Sequence, residues 1–425
     1  MRRRIRIFGA SAIVAATAWA IWPGLQAPPA PHFVVPTPPR ASANEAPRLS
    51  SALINEVEPP QVHAAAVAEL SDGRLAAVWF GGSREGARDV RIIGAEGAPQ
   101  ADGDTIWRSS GAVATPQATG AGLRRLVRKL GNPVVFGNGD SENWMVYVSA
   151  FSGWATSQLN LLRAVGTTPK RLVTSPFFNM STLVKTPAIH FADGDVGLPV
   201  YHELAGKFGE LLVLTPDGEV RRKIRISHGR RTLQPVVLVE DATHAVALLR
   251  DASAAPPRVW RSETADAGQS WSALEATDLP NPNSALTAVR LDDGRLLAVA
   301  NDTENKRLRL TLLVSADRGH HWHVVHRFED RDTQPPQSMP ETDFRARLEA
   351  DVDDIGPAHP AKNEVVADVL RNTCKDEACH WQYDYPYLIR AADGDFHLVY
   401  TWNRSFIRHV RFNSVWLQAK LEATR

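Results

Sequence analysis

Cysteine is nearly absent from this chain: two occur in 425 residues, both in the run C-K-D-E-A-C from Cys374 to Cys379. A disulfide-built scaffold is excluded by that count, and a zinc site would need two further ligands that the spacing does not supply. Charge of one sign is lacking as well. Lys plus Arg number 48 against 47 Asp plus Glu, scattered apart from an arginine-rich extreme N-terminus, so no global basic field points to nucleic acid. No Gly-rich loop follows a strand and opens a helix, which argues against a nucleotide enzyme. Twelve Trp, 28 Gly and 29 Pro instead favour many short strands and tight turns over long helices.

A long apolar run occurs at the start, where M-R-R-R-I-R-I leads into an apolar stretch over residues 7–22 and then Pro/Ala-rich sequence. Residues 1–25 read as a secretory signal peptide or an uncleaved signal anchor, the run being short for a membrane span and long for a signal core. Either form predicts an exported body, periplasmic or secreted, with a membrane tether if the segment is retained. Residues 26–58 read as a Pro/Ala-rich linker outside the core. In an exported protein, Cys374 and Cys379 are expected to close a small disulfide loop.

From residue 62 onward one phrase recurs: an alternating apolar strand, a D-G or similar turn, and a second apolar strand. It appears at 66–80, 132–148, 187–201, 235–249, 286–300 and 387–401. Asp-Gly supplies the positive φ that a two-residue hairpin turn requires. The spacing, roughly 50–60 residues, is that of one four-stranded propeller blade with insertions. The expected fold is all-β, a six-bladed β-propeller over 59–425. T-A-D-A-G-Q-S-W at 264–271 and S-A-D-R-G-H-H-W at 315–322 share the form Ser/Thr-x-Asp-x-Gly-x-x-Trp. In such a turn, side-chain hydrogen bonds from Asp and Ser/Thr close the loop and Trp packs between sheets. Residues 327–380 break the rhythm with two helix-compatible stretches and read as an insertion between blades.

The loop W-F-G-G-S-R-E-G-A-R-D-V-R-I, residues 79–92, sets three arginines and two carboxylates between Ser83 and Arg91 at the end of a strand. A solvated turn needs fewer charges, so the loop is a candidate wall for an anionic or hydroxylated ligand. His320, His321, His323 and His326 do not read as a metal site, because two lie inside the second Asp-box turn and strand alternation splits the others. Sequons stand at Asn179, Asn301 and Asn403.

The two Asp-boxes, the six hairpins and the phrases H-A-A-A-V (63–67), S-R-E-G-A-R-D-V (83–90), N-P-N-S (281–284) and Y-D-Y-P (383–386) together resemble the sialidase-like, BNR/Asp-box glycosidase superfamily, over about residues 60–415. In the sialidases of that superfamily, three arginines hold the sugar carboxylate at the propeller axis, an aspartate is the acid/base, and a tyrosine activated by a glutamate is the nucleophile. The resemblance places Arg84 and Asp89 as the first arginine after the opening hairpin and the acid/base. It places Arg250 and Arg307 as the further arginines, with Arg309 as fallback, and Tyr383 as nucleophile, with Tyr385 as fallback. Two positions depart from the pattern: His63 stands where the family carries an arginine, and Gln234 stands where it carries the activating glutamate. An amide takes no proton from a phenol, and a histidine is not a fixed cation.

The resemblance implies an exported glycoside hydrolase that removes a terminal, sialic-acid-like sugar from a glycan, without metal or cofactor. The alternative is a non-catalytic propeller that binds a cell-envelope glycan or a protein partner. Under the first reading Asp89, Arg250, Arg307 and Tyr383 converge at one end of the axis, and the 327–380 insertion overhangs that end as a lid.

Overall fold

A computed structural model describes residues 30–37, 45–137, 143–175, 179–204, 206–229, 231–253, 257–331, 338–355, 360–376 and 378–423. The expected signal or anchor segment, 1–25, lies outside them. No helix among the described residues is long and apolar enough to cross a membrane.

Each of the six phrases folds into the antiparallel hairpin that its alternation predicts. In the first, Ala66 faces Val78 and Glu69 faces Leu75 across the turn at Gly73, whose φ of +80° excludes most side chains. Five of the hairpins supply the first two strands of a sheet, and in the third sheet the short Ile189–His190 pairs with Val196–His202 beside an earlier strand; six such sheets follow in chain order. Their first strands open at Gln61–Glu69, Lys129–Gly137, Thr182–Val184, Thr232–Val239, Thr287–Arg290 and Tyr383–Arg390. Inner strands of neighbouring sheets touch in succession, and those of the sixth touch the first, giving a propeller-like, all-β arrangement. Apolar cores lie between adjacent sheets. Leu248 and Val259 of the fourth, for example, pack with Leu296 and Leu313 of the fifth.

Both Asp-boxes form between third and fourth strands. Thr264 Oγ1 donates to Asp266 Oδ1 at 2.8 Å and accepts from Gly268 N at 2.9 Å. Ser315, Asp317 and Gly319 repeat the pattern, and the buried Trp322 donates its indole N–H to the Gly319 carbonyl. Among the four histidines of the second box region, His321 pairs with Asp317, while His326 packs edge-on against Phe328 and Trp416.

The chain ahead of residue 59 does more than a linker would. Leu49–Leu53 completes the sixth sheet by pairing with Phe406–Phe412, register Leu49 to Phe412, so the last sheet holds strands from both ends of the described chain. Phe33 is buried against Phe191, ring centroids 5.2 Å apart. The sequence L-S-S-A-L conceals this strand because an outermost strand has only one apolar neighbour and needs no strong alternation.

The fifth sheet's last strand, His323–Asp330, runs past residue 327, so the excursion begins later than the rhythm suggested. Two helices follow, α1 (Glu341–Asp354) and α2 (Lys362–Thr373). Phe344, Leu348 and Val352 form one face of α1, and Val365, Val366 and Val369 one face of α2. Both faces share a core with Trp381 and with Tyr383 of the sixth sheet. Cys374 and Cys379 are joined in a disulfide that closes the turn after α2.

Candidate functional site

The inner strands share a local irregularity. Ala64, Asn132, Gln234 and Tyr385 have φ between +41° and +54°, each where the ladder of its sheet shifts register, and Asn283 (+53°) stands just ahead of the fifth sheet. A bulge turns consecutive side chains away from strict alternation and re-aims one of them. In three cases the next residue is proline (Pro133, Pro235, Pro386), which lacks the N–H an inner strand would donate and so belongs at such a bulge. Backbone strain of about 1–2 kcal/mol per position is thereby spent on presenting polar side chains between the sheets.

A cavity of about 360 Å³ opens among the ends of the first, fifth and sixth sheets, lined by Gln61, His63, Phe80, Arg84, Glu85, Arg307, Gln382, Tyr385 and Arg404, with Val62, Gly82 and Val90. Arg307 is fixed on two sides: Nη1 lies 2.6 Å from Asp384 Oδ1, and Nη2 donates to the Asn283 carbonyl at 2.9 Å. Asp384 is fully buried. Burial pulls its carboxyl upward, but Arg307 and His63 outweigh it and hold the group below the ordinary carboxylate range. Gln382 bridges outward, its amide N–H donating to Asp384 and its oxygen accepting from Arg404 Nε at 2.7 Å. Arg84 reaches the cavity from the charged loop. Three guanidinium groups thus face one volume.

His63 packs edge-on against Tyr385 at 4.4 Å between centroids. Burial lowers its pKa, with Asp384 and Glu85 opposing, so at neutral pH it is an uncharged wall and not a fourth cation. Arg250 sits one layer behind. Its Nη1 donates to Gln234 Oε1 at 3.0 Å and its Nε to Asn283 Oδ1 at 2.8 Å, so Asn283 touches both Arg250 and Arg307. Gln234 Nε2 lies 3.4 Å from the Tyr201 hydroxyl, which also accepts from Asn132. Burial, with the neighbouring Tyr385 and Glu203, pushes the Tyr201 phenol well up and keeps it protonated. Lys185, fully buried, extends its ammonium over the rings of Tyr385 (5.7 Å) and Tyr387 (4.8 Å) and donates to the Ala65 carbonyl. Burial alone draws it down to about 7.

Two expected site residues lie elsewhere. Tyr383 points away from the cavity into the packing between the sixth sheet and the insertion, beside Arg331. Burial and the carboxylate of Glu329 hold its phenol protonated. The fallback Tyr385 occupies the cavity because its own positive φ breaks the alternation that would put residues 383 and 385 on one face. Asp89 lies outside the lining and accepts from Ser83 N (2.8 Å) and Ser83 Oγ (2.9 Å). Burial pulls its carboxyl upward, but the bonds from Ser83 together outweigh it and hold the group below the ordinary carboxylate range. Glu85 is the loop carboxylate that lines the cavity. Arg309, the fallback for Arg307, pairs with Asp330 and Asp302 away from it.

Glu85, Asp384, Gln382, Arg404 and Lys185 were missed in the sequence. Only Arg404 left a signal, an arginine just past the last hairpin's second strand as Arg84 is past the first's. Among its described residues the insertion meets the rim through α2, where Asn372 bonds to Gln61 and Ser405, and none of 331–380 lines the cavity as the expected lid would.

Residues 73–398 match the family model described as the BNR repeat-like domain. Among curated proteins, none matches the chain. Similar solved structures include the Hadza microbial sialidase Hz136, 12% identical with a TM-score of 0.57, over 83% of this chain and 66% of that one. The intramolecular trans-sialidase from Ruminococcus gnavus is 10% identical with a TM-score of 0.55, over 86% and 98%. The alpha-L-arabinanase from Penicillium chrysogenum is 10% identical with a TM-score of 0.55, over 88% and 99%. At these identities the likeness is one of fold.

Proposed function

Because the chain belongs to the BNR repeat-like domain family, on a fold that it shares with sialidases and other glycosidases, we propose that it is an exported glycoside hydrolase, a six-bladed β-propeller that removes a terminal acidic sugar from a glycan. The observation that carries this reading is the convergence of Arg84, Arg307, Arg404 and Tyr385 on one cavity of sugar size.

Arg307 cannot swing, being held by Asp384 and Asn283, and Arg404 is steadied by Gln382, so two forks are set before a carboxylate arrives. Arg84 completes the grip from the loop. Arg250 adds positive potential from behind, with side-chain amides as its partners. Glycoside cleavage also needs a proton for the leaving oxygen and a group facing the cationic sugar carbon. Glu85 is the carboxyl group placed to supply the proton, and Tyr385 to meet the cation, as nucleophile or as stabiliser while water attacks. Asp89 shapes the loop that carries Glu85 through its bonds to Ser83.

Binding without turnover is a second reading, favoured by Gln234, whose amide serves Arg250 and Tyr201 where the superfamily's sialidases carry a carboxylate. Release of free sugar from sialoside, uronoside and neutral aryl glycosides separates the two. The hydrolase reading expects turnover of an acidic member that Tyr385→Phe abolishes. Binding of acidic sugars with no release across the panel supports the second.

A further inference from the structure

Beside the cavity a second, open groove of about 620 Å³ runs between the charged loop and the first strand of the second sheet, and Arg84 lines both. Arg88 joins it from the loop, and Arg128 and Lys129 from the facing sheet. The Lys129 ammonium stands over the loop, 3.5 Å from where a Cβ on Gly86 would lie. Asp89 is the single carboxylate in the lining, and it is turned onto Ser83. Other arginines are paired, as Arg74 is with Asp72 and Glu96, or Arg221 with Asp195. Among the described residues, Arg84, Arg88, Arg128 and Lys129 form no ion pair. Four like charges placed together repel one another unless an anion is to be held there. Phe151, 44% exposed, offers its ring at the same groove, a surface suited to the C–H face of a sugar.

We infer that this groove is a second binding site, for an anionic sugar next to the one held in the cavity, so that the protein's substrate is an oligosaccharide carrying negative charge on successive residues. This rests on the cavity's being an acidic-sugar site and adds the class of the leaving group. A neutral leaving group would gain hydrogen bonds but no charge pairing from Arg88, Arg128 and Lys129. An oligoanion spans both volumes, with Arg84 between its charges.

The test is isothermal titration of the purified chain and of its Arg128→Gln/Lys129→Gln variant, both residues lying outside the cavity. The probes are a sialic acid methyl glycoside, a tetramer of linked sialic acid, a sulfated tetrasaccharide, a neutral tetrasaccharide and an octanucleotide of thymidine. The wild-type chain is expected to bind a charged tetrasaccharide at least about 10-fold more tightly than the monosaccharide at low salt, an advantage that added salt erodes. The double variant should lose most of it while keeping its monosaccharide affinity and its melting temperature. Which charged tetramer binds distinguishes carboxylate from sulfate. Equal binding of the charged and neutral tetramers, or of the tetramers by both proteins, overturns the inference, as does an octanucleotide that binds as tightly. If the monosaccharide fails to bind but a charged tetramer still depends on Arg128 and Lys129, the groove stands and the acidic-sugar reading of the cavity falls.

Discussion

Arg307 and Asp384 meet at 2.6 Å across the junction of the fifth and sixth sheets, with the carboxylate fully buried and the guanidinium turned partly into the cavity. The pair fixes a flexible side chain at the cavity wall, where the proposed function needs an anion receptor. Asp384→Asn should keep the shape while loosening the fork, raising KM for an acidic substrate about 10-fold or more, in line with the roughly 1.5–3 kcal/mol of a charge-assisted bond. Asp384→Ala should also cost about 3 kcal/mol of stability, since it strands a half-buried cation. Kinetics and denaturant melts on the two variants check this.

Tyr385 and Tyr383 should separate activity from stability. Tyr385→Phe is expected to abolish turnover with little change in melting temperature. Tyr383→Phe should retain turnover, and Tyr383→Ala should destabilise by about 3–5 kcal/mol, as truncation of a buried aromatic does. Loss of turnover in a fully folded Tyr383→Phe protein would return the nucleophile to position 383.

Glu85 and Asp89 make a parallel pair. Removing a general acid typically costs 10²–10⁴-fold in rate; Glu85→Gln should fall in that range. Asp89→Asn should stay within about 10-fold of wild type, because its part is to cap the loop through Ser83. The opposite ranking would make Asp89 the acid.

Two buried histidines predict an acid-sensitive fold. Trp107 donates to His409 Nδ1, which leaves His409 Nε2 to donate to His397 Nδ1 at 3.0 Å, a chain that requires both rings neutral. Burial, with Arg411 nearby, pulls His397 down to about 4 and His409 well below its ordinary value. An unfolded histidine titrates near 6.5, so between that pH and about 4 the unfolded chain binds more protons, and stability falls as the pH falls. The slope is up to about 1.4 kcal/mol per pH unit for each ring. Asp368 acts in the opposite sense: burial raises it to about 6, so its contribution is lost as the pH rises toward that value. Melting temperatures from pH 7 to 4.5 should therefore drop less steeply in His397→Asn/His409→Gln than in wild type. Parallel curves would refute this assignment.

The fold was legible because alternation with D-G turns is a local signal repeated six times, and the Asp-boxes fix which strand of a sheet is the third. The site was legible only in part. Alternation puts Tyr383 and Tyr385 on one face, and in Y-D-Y-P only Pro386 marks the bulge, without showing that a positive φ at Tyr385 sends the two apart. Arg84 and Arg307, placed through the resemblance, line the cavity. Arg250, placed in the same way, lies a layer behind, because Gln234 and Asn283 hold its guanidinium inside. Arg404, Glu85 and Lys185 gain their place from the meeting of different sheets, which a single strand's pattern does not encode. The outer strand Leu49–Leu53 escaped for the same reason, being recognisable by its partner and not by its own sequence.

The proposed function is that this cavity cleaves an acidic sugar that it holds by charge. Its most direct test is kcat/KM for an aryl sialoside against the same compound with its carboxylate converted to a carboxamide, for wild type and Arg404→Gln. A preference of about 100-fold or more for the acid, cut about 10-fold by the substitution, is the predicted result. Equal turnover of acid and amide, or release from neither while the acid still binds, would contradict it.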